Sequence, residues 1–166
     1  MKTVQVILGL LLVCSSASGA QQDPIVIENA HVRYTISGEG RNLAFIDRAS
    51  GVDYLRSDTA SACALVRCGG VEYPATSAVL ANGRLTVEFG KANVKAVVHV
   101  ESRESYIRLA VEAVSGDNIE SLTFLNVPLT LKGRPDESFG SCALSLNLIT
   151  RVNQLPALQT SLHASC

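Results

Sequence analysis

Apolar and polar residues alternate with a period of two along most of the chain, which is the pattern of half-buried β-strands. The first hairpin is predicted in residues 41–54, RNLAFIDRASGVDY, where Leu43 and Phe45 precede a turn from Asp47 to Gly51. Asp can hydrogen-bond the backbone of its own turn, and Gly tolerates positive φ. We therefore expect a loop of about four or five residues closed by a Gly bulge.

Asn82-Gly83 is the strongest turn signal in the chain, because Asn-Gly suits a two-residue type I′ hairpin. Folding the chain at this dipeptide places Leu80 opposite Leu85. One face of the hairpin then carries only apolar residues: Ala78, Leu80, Leu85 and Val87. The turn and the hydrophobic pattern select the same register, which strengthens the prediction.

A further hairpin is predicted with its turn centred on Arg103-Glu104. This register places His99 on the polar outer face opposite Arg108, and it places Lys95 opposite Glu112. A cross-strand Lys–Glu pair is worth at most ~1 kcal/mol, so its value here is as a check on the register.

Other segments extend the same pattern. A hairpin is expected at Gly69-Gly70, and residues 119–131 form an extended segment in which Pro128 indicates an edge or a strand end. Residues 141–148 alternate with Cys142, Leu144, Leu146 and Leu148 on one side. The mature chain shows no helical period and about ten to twelve strands, which predicts an all-β, antiparallel β-sandwich built from consecutive hairpins.

The first twenty residues predict a signal peptide, not a part of the fold. Lys2 precedes an apolar run at residues 4–13, and small residues before position 21 favour cleavage after Ala20. The run is too short to span a bilayer of ~30 Å. We expect a secreted or periplasmic protein whose residues 21–166 form one domain without a membrane span.

Four cysteines remain after removal of the leader: Cys63, Cys68, Cys142 and Cys166. They allow three disulfide pairings, or they are small buried thiols, and the sequence leaves these alternatives open. A lipoprotein anchored at Cys14 is a further alternative, although Val13 stands where a lipobox has a small residue.

Composition and charge exclude some classes of function. Hydrophobic residues make up 47% and charged residues 17%, which is a globular composition. The net charge is −1 and no Lys/Arg run occurs, so nucleic-acid binding is not expected. No HExxH, GxSxG, P-loop or GxGxxG motif is present, and the cysteines lack zinc-site spacing, so we expect no cofactor and no metal.

Candidate catalytic residues have plain structural explanations. The histidines are His31, His99 and His163. The acids that glycosidase chemistry would need are Asp47, Asp53, Asp58, Glu88, Glu112 and Glu120. Each acid fits a turn or an outward strand position, and Asp47 is expected to bond its own turn. Asp47 and Asp53 together are a weak Ca²⁺ signal. We therefore assign no catalytic residue.

Aromatic residues bear on carbohydrate binding, since sugar rings stack on aromatic faces. The chain has no Trp, four Tyr and four Phe. The alternation predicts a core position for Tyr34, Phe45, Phe89 and Phe124. The three remaining candidates for an exposed sugar-binding surface are Tyr54, Tyr73 and Tyr106.

Several segments together resemble a known family. They are VRYTISGEGRNLAFIDRASGVDYL, NGRLTVEFG, FLNVPL and FGSCALSLNLITRVNQLPA, which follow an exported leader. The chain resembles the N-terminal β-sandwich domain, of the galactose-mutarotase-like or supersandwich type, of large exported bacterial glycoside hydrolases. In that family a separate catalytic domain follows and carries the sugar-cutting carboxylates, so the resemblance implies a member truncated before it.

The resemblance implies a non-catalytic accessory module that packs on and positions a catalytic domain. A carbohydrate-binding module is the first alternative, and a sugar epimerase or hydrolase in its own right is the second. If the module normally rests on a following domain, an apolar surface should be exposed in residues 144–158, which include Leu144, Leu146, Leu148, Ile149, Val152 and Leu155.

Overall fold

The structure, a computed structural model, describes residues 23–56, 58, 60–152 and 161–166. The predicted leader with its cleavage after Ala20, Cys14, and the candidate Leu155 lie outside these residues. The described chain forms twelve strands and one short 3₁₀ turn at Gly90–Ala92. The strands are β1 (Ile25–Glu28), β2 (Val32–Ile36), β3 (Asn42–Asp47), β4 (Leu65–Cys68), β5 (Val71–Pro74), β6 (Ser77–Ala81), β7 (Arg84–Phe89), β8 (Val94–Ser102), β9 (Ile107–Ser115), β10 (Ile119–Pro128), β11 (Arg151–Val152) and β12 (Ser161–Ser165).

The strands form three antiparallel sheets. One has the order β1-β2-β3, the second β6-β7-β8-β9, and the third β11-β12-β10-β4-β5. All three contribute to one hydrophobic core, whose largest fully buried side chains are Phe89, Ile36, Leu129, Val66, Val87, Val98 and Val127. The predicted all-β, antiparallel sandwich is confirmed. Alternation explains it: each strand turns one apolar row to the core and a polar row outward.

The first hairpin has the predicted turn but an irregular return arm. Gly51 has a φ of 75°, and its N–H donates to the Asp47 carbonyl oxygen at 2.8 Å. After the turn, the chain pairs with β3 through a single bridge between Ile46 and Asp53, so no second strand forms. Leu43 is exposed because the register of β2 and β3 shifts beside it, at a bulge.

The β6–β7 hairpin has the predicted register throughout. Leu80 lies opposite Leu85 and Ala81 lies opposite Arg84. Asn82 and Gly83 both have positive φ, of 52° and 73°, as a type I′ turn requires.

The β8–β9 register was wrong in the prediction. His99 lies opposite Ala110, not Arg108, and Lys95 lies opposite Ser115, not Glu112. The turn is centred one residue further on, because the Arg103 N–H donates to the carbonyl oxygen of Tyr106 at 2.8 Å. His99 therefore meets a partner two residues later than predicted, and Lys95, on the other side of a β-bulge, meets a partner three residues later. His99 keeps its predicted outer face, since a shift of two preserves the face.

Residues 141–148 do not form the predicted strand. The chain from residue 129 to residue 150 has irregular structure, apart from a single bridge at its start between Leu129 and Leu55. Asn147 Oδ1 accepts hydrogen bonds from the N–H groups of Ile149 and Thr150, which makes a local turn. An alternating sequence needs a neighbouring strand to pair with, and no described strand lies beside this one. By contrast, the predicted strand end at Pro128 is confirmed.

Candidate functional site

Asp47, one of the candidate acids, is engaged in its own turn. Its Oδ1 accepts a hydrogen bond from the Ala49 N–H at 3.0 Å, and its Oδ2 accepts from the Ser50 N–H at 3.2 Å and from the Ser50 hydroxyl. The Ser50 hydroxyl first, and the Ala49 N–H second, hold the pKa of Asp47 below its usual value. The prediction that Asp47 bonds its own turn is confirmed.

The lowered pKa of Asp47 predicts how the stability of the fold depends on pH. Because the pKa of Asp47 is lower in the folded chain, its stabilising contribution is full above the unfolded pKa and is lost as the pH falls through the folded pKa. Asp47→Asn should therefore lower the melting temperature at about pH 7 and change it much less at about pH 2. The control Glu39→Gln alters an exposed acid and should change neither melt. An equal loss at both pH values for Asp47→Asn would contradict this account.

A buried polar cluster joins β2 and β3 to β10. We call it the Asn42 cluster, and it comprises Tyr34, Asn42, Ser61 and Asn126. The Tyr34 hydroxyl donates to Asn42 Oδ1, and Asn42 Nδ2 donates to Ser61 Oγ at 2.7 Å and to the Asn126 carbonyl oxygen at 2.8 Å. Asn126 Nδ2 in turn donates to the Ala62 carbonyl oxygen at 2.8 Å. These contacts tie two sheets together inside the core.

The Asn42 cluster is satisfied internally, so its role is structural. Asn42 is only 8% exposed, and burial raises the pKa of Tyr34 well above its usual value, so the phenol stays neutral. Tyr34 lies in the core as predicted, whereas the inward position of Asn42 was not predicted. Alternation from the buried Phe45 predicts an outward Asn42, and the bulge at Leu43 reverses this.

A second polar group lies on the outer face of the four-stranded sheet. We call it the His99 cluster, and it comprises Arg84, His99 and Glu112. Arg84 lies opposite His99 on the neighbouring strand, and its Nε donates to Glu112 Oε2 at 2.7 Å. Glu112 Oε1 lies 3.7 Å from His99 Nδ1. This is the one pairing of a histidine side chain with an acid that the described residues show within ion-pair distance.

Strand alternation places Glu112 on the outer face, two residues after Ala110, which lies opposite His99. A β-bulge begins at this point: Val98 lies opposite Val111 and Val97 lies opposite Ala113, so Glu112 is the extra residue of β9. The prediction centred the β8–β9 turn one residue too early and paired Glu112 with Lys95, and this is why the partner of His99 was not predicted.

The His99 cluster has some features of a general-base pair, but its geometry favours a structural role. An imidazole oriented by a carboxylate is the usual general-base arrangement. Here the 3.7 Å separation exceeds a hydrogen bond, Arg84 balances the carboxylate, and Nδ1 is buried without a hydrogen-bond partner although the side chain is 39% exposed. The cluster therefore links three neighbouring strands on their outer face, and its geometry is not that of an oriented general base.

Three of the other candidate acids have hydrogen-bond or ion-pair partners of their own, whereas His31 lies near Asp47 and is the weakest of the influences that lower the Asp47 pKa. Asp53 Oδ1 accepts from the Phe45 and Leu55 N–H groups, Glu88 pairs with Lys95 at 3.5 Å, and Glu120 pairs with Arg67 at 3.5 Å. Lys95 thus finds its acid on β7, not on β9. Asp58 and His31 are exposed, and His163 lies in β12. Within the described residues, no three side chains of His, Cys, Asp or Glu are placed to hold a metal.

The three candidate tyrosines have different surroundings. Tyr54 stacks on Phe139 with ring centroids 5.1 Å apart, so one ring face is covered. Tyr73 lies in the edge strand β5 and is partly buried against the core. Tyr106 is 54% exposed in the β8–β9 turn. The structure leaves one of them, Tyr106, mainly in solvent, and a sugar-binding role for the three stays a prediction.

None of the four cysteines in the described chain is in a disulfide. Cys63 is buried, and this burial raises the pKa of its thiol to about 12. Cys142 and Cys166 are exposed, and Cys68 is partly buried. The alternative of a buried thiol therefore describes Cys63 alone.

An exposed apolar segment is the most unusual surface feature. Leu144, Leu146, Leu148 and Ile149 are 78%, 77%, 104% and 76% exposed, respectively. They lie in the irregular chain before β11, and residues 138–150 contain no charged side chain. We call residues 144–149 the apolar segment. The exposure expected from the sequence is found for these four residues, whereas Val152 is partly buried.

Comparisons with protein-family models, with curated proteins and with solved structures found no match to this chain. The resemblance to the supersandwich domain of glycoside hydrolases therefore stays a prediction, and the fold rests on the antiparallel sheets themselves. Among the described residues, no helix has the length and apolar character needed to cross a membrane.

Proposed function

We propose that this chain is a non-catalytic accessory module of an exported carbohydrate-active enzyme, and that it acts by packing against the catalytic domain. The observation that carries the proposal is the apolar segment, whose four large side chains are almost fully in water. Contiguous exposed apolar surface in a soluble protein commonly marks an interaction site. A catalytic domain that covers these residues would remove the cost of hydrating them.

The arrangement of the segment supports docking over simple surface variation. Other exposed apolar residues are dispersed over several elements, for example Val26, Leu43, Val52 and Val71. The apolar segment instead concentrates four large aliphatic side chains within six residues. Phe139, five residues before the apolar segment, stacks on Tyr54 and packs against the core, which anchors the chain that leads into the segment.

The placement of the polar residues favours a non-catalytic role. The acids that could serve a glycosidase either close a turn, like Asp47, or pair with cations on outer faces, like Glu88 and Glu120. Hydrolysis needs two carboxylates held ~5 to 9.5 Å apart across the sugar. Glu112, the acid nearest a histidine, has its charge balanced by Arg84.

Carbohydrate binding by the module itself has weaker support. It rests on Tyr106, the exposed aromatic of the β8–β9 turn, and a stacking platform for a sugar usually offers more aromatic area than one ring.

Binding to a catalytic barrel tests the docking proposal most directly. The barrel of a carbohydrate-active enzyme encoded at the same genetic locus, produced separately, should bind the module. Leu146→Ser with Leu148→Ser should weaken binding, while Val26→Ser with Val71→Ser should not. A locus without a carbohydrate-active enzyme, or equal binding by the two variants, would overturn the proposal.

The purified chain should be inactive by itself. We expect no hydrolysis of aryl glycosides and no acceleration of the mutarotation of free sugars above the buffer control. The physical reason is that Asp47 is engaged in its own turn, while Glu88 and Glu120 are paired with cations. Chromogenic substrates and polarimetry provide the measurements. A rate above the control that Asp47→Asn, His31→Ala or His99→Ala abolishes would establish an enzyme instead.

A further inference from the structure

Among the strands that the structure describes, β9 is the longest at an uncovered sheet edge. It spans nine residues at the end of the four-stranded sheet, and no other described segment pairs with its outer edge. The opposite edge strand, β6, is partly covered, since the Ala78 N–H donates to the Gly38 carbonyl oxygen at 2.9 Å. A free edge presents unpaired backbone groups that can accept another strand.

The core-facing side of β9 is incompletely covered. Ile107, Leu109 and Val111 face the core, yet all three are only partly buried, unlike Val98 on the neighbouring strand. An additional strand beside β9 would cover this apolar row. The surface therefore favours a partner that adds both backbone hydrogen bonds and apolar side chains.

The outer face of β9 has charges arranged symmetrically about Ala110. Arg108 lies two residues before Ala110, and Glu112 lies two residues after it. In an antiparallel pair of β9 with β9 of a second copy, centred on Ala110, each Arg108 faces the Glu112 of the other copy. Opposite charges directly across a strand pair are stabilising. A parallel pairing would instead place like charges together.

We infer that β9 pairs antiparallel with β9 of a second copy of this chain, about a two-fold axis at Ala110, and so joins two four-stranded sheets into one. Leu109 then lies opposite Val111 of the other copy on the core side. On the outer side, Arg108 already contacts Glu101 at 3.3 Å, and Glu112 contacts Arg84 at 2.7 Å. On each side of the axis, the outer face then carries a row of alternating charges: Glu101 and Arg108 of one copy, followed by Glu112 and Arg84 of the other.

The bulge at Glu112 limits the length of this pairing. Bulges twist an edge strand away from a straight ladder, so the paired run is Arg108–Glu112 and does not extend to Ser115. This surface is separate from the apolar segment. Pairing through β9 therefore does not depend on docking of the apolar segment to a catalytic domain.

Site-specific disulfide formation tests the register. In a background with Cys68, Cys142 and Cys166 replaced by Ser, Ala110→Cys places two thiols on the axis, where opposite Cα atoms lie within disulfide reach of ~4.4 to 6.8 Å. Ala113→Cys is the matched control, because its two copies are separated by six residues, about 20 Å at ~3.3 Å per residue. With oxidised glutathione, we expect the first variant to form covalent dimers at least about tenfold faster.

The charge arrangement is tested on the Ala110→Cys variant. Arg108→Glu turns both cross-axis pairs into like-charge pairs and should slow dimer formation about tenfold. Arg41→Glu makes the same charge change at a distant exposed site and should have no effect. Circular dichroism confirms that each variant is folded. Equal dimer formation at positions 110 and 113, absence of dimers at 110, or equal rates for the two charge variants would overturn the inference.

Discussion

Asn42→Ala is expected to lower the free energy of unfolding by about 3–5 kcal/mol. The substitution leaves the Tyr34 hydroxyl and the Asn126 carbonyl oxygen without the partner that now satisfies them. A buried polar group without a partner costs ~1–3 kcal/mol, and here at least two are created. This is a large part of the ~5–15 kcal/mol that stabilises a typical domain.

Chemical denaturation provides the measurement, and the neighbouring residue provides the control. Leu43→Ala changes an exposed side chain next in sequence and should cost no more than ~0.5 kcal/mol. Asn42→Asp should also be severe, because it brings a carboxylate into the buried cluster. An Asn42→Ala variant as stable as Leu43→Ala would mean that water replaces the lost hydrogen bonds and that the cluster does not bind the sheets together.

Replacing the four large residues of the apolar segment by Ser is expected to abolish concentration-dependent association of the isolated chain beyond a dimer. These residues are Leu144, Leu146, Leu148 and Ile149. Leaving on the order of 300 Å² of apolar area in water forgoes ~7 kcal/mol of burial as an upper estimate, at ~25 cal/mol per Å². The unmodified chain can recover part of this only by associating.

Sedimentation velocity over a range of concentrations measures this association. A matched variant changes four scattered exposed residues to Ser, at Val26, Leu43, Val52 and Val71, and it should associate like the unmodified chain. If the unmodified chain shows no species larger than a dimer at any concentration, the apolar segment is stable in water and does not need a partner.

The sequence predicted those hairpins well in which turn chemistry and apolar pattern agree. Asn82-Gly83 allows essentially one tight turn, so the register of β6 and β7 follows from it. The Arg103–Tyr106 turn contains no Gly or Asn, so its centre was placed one residue too early. The bulge at Glu112 then changed the register again, and bulges have no reliable sequence signal outside Gly positions.

Features that depend on distant segments were not predictable in the same way. The partners of Asn42 lie 8, 19 and 84 residues away, so no local window contains the cluster. Residues 141–148 show the opposite case, because their alternation is as regular as that of any strand. Alternation reports only which side chains could be buried, and the presence of a pairing strand decides whether they are.

The interleaving of the sheets sets the order in which the chain can assemble. The four-stranded sheet consists of strands consecutive in sequence, β6 to β9, so it can form by successive pairing of neighbouring strands. The five-stranded sheet is different, because β4 pairs with β10, which begins some fifty residues later, and β10 pairs with β12. Neither pair can form until its later strand has been synthesised. A nascent chain that has not reached Ile119 therefore holds β4 and β5 as an isolated hairpin, a state that is marginal in water. Of the strands that the structure describes, β11 and β12, which follow the apolar segment, are the last to be synthesised, so the third sheet is completed after the other two.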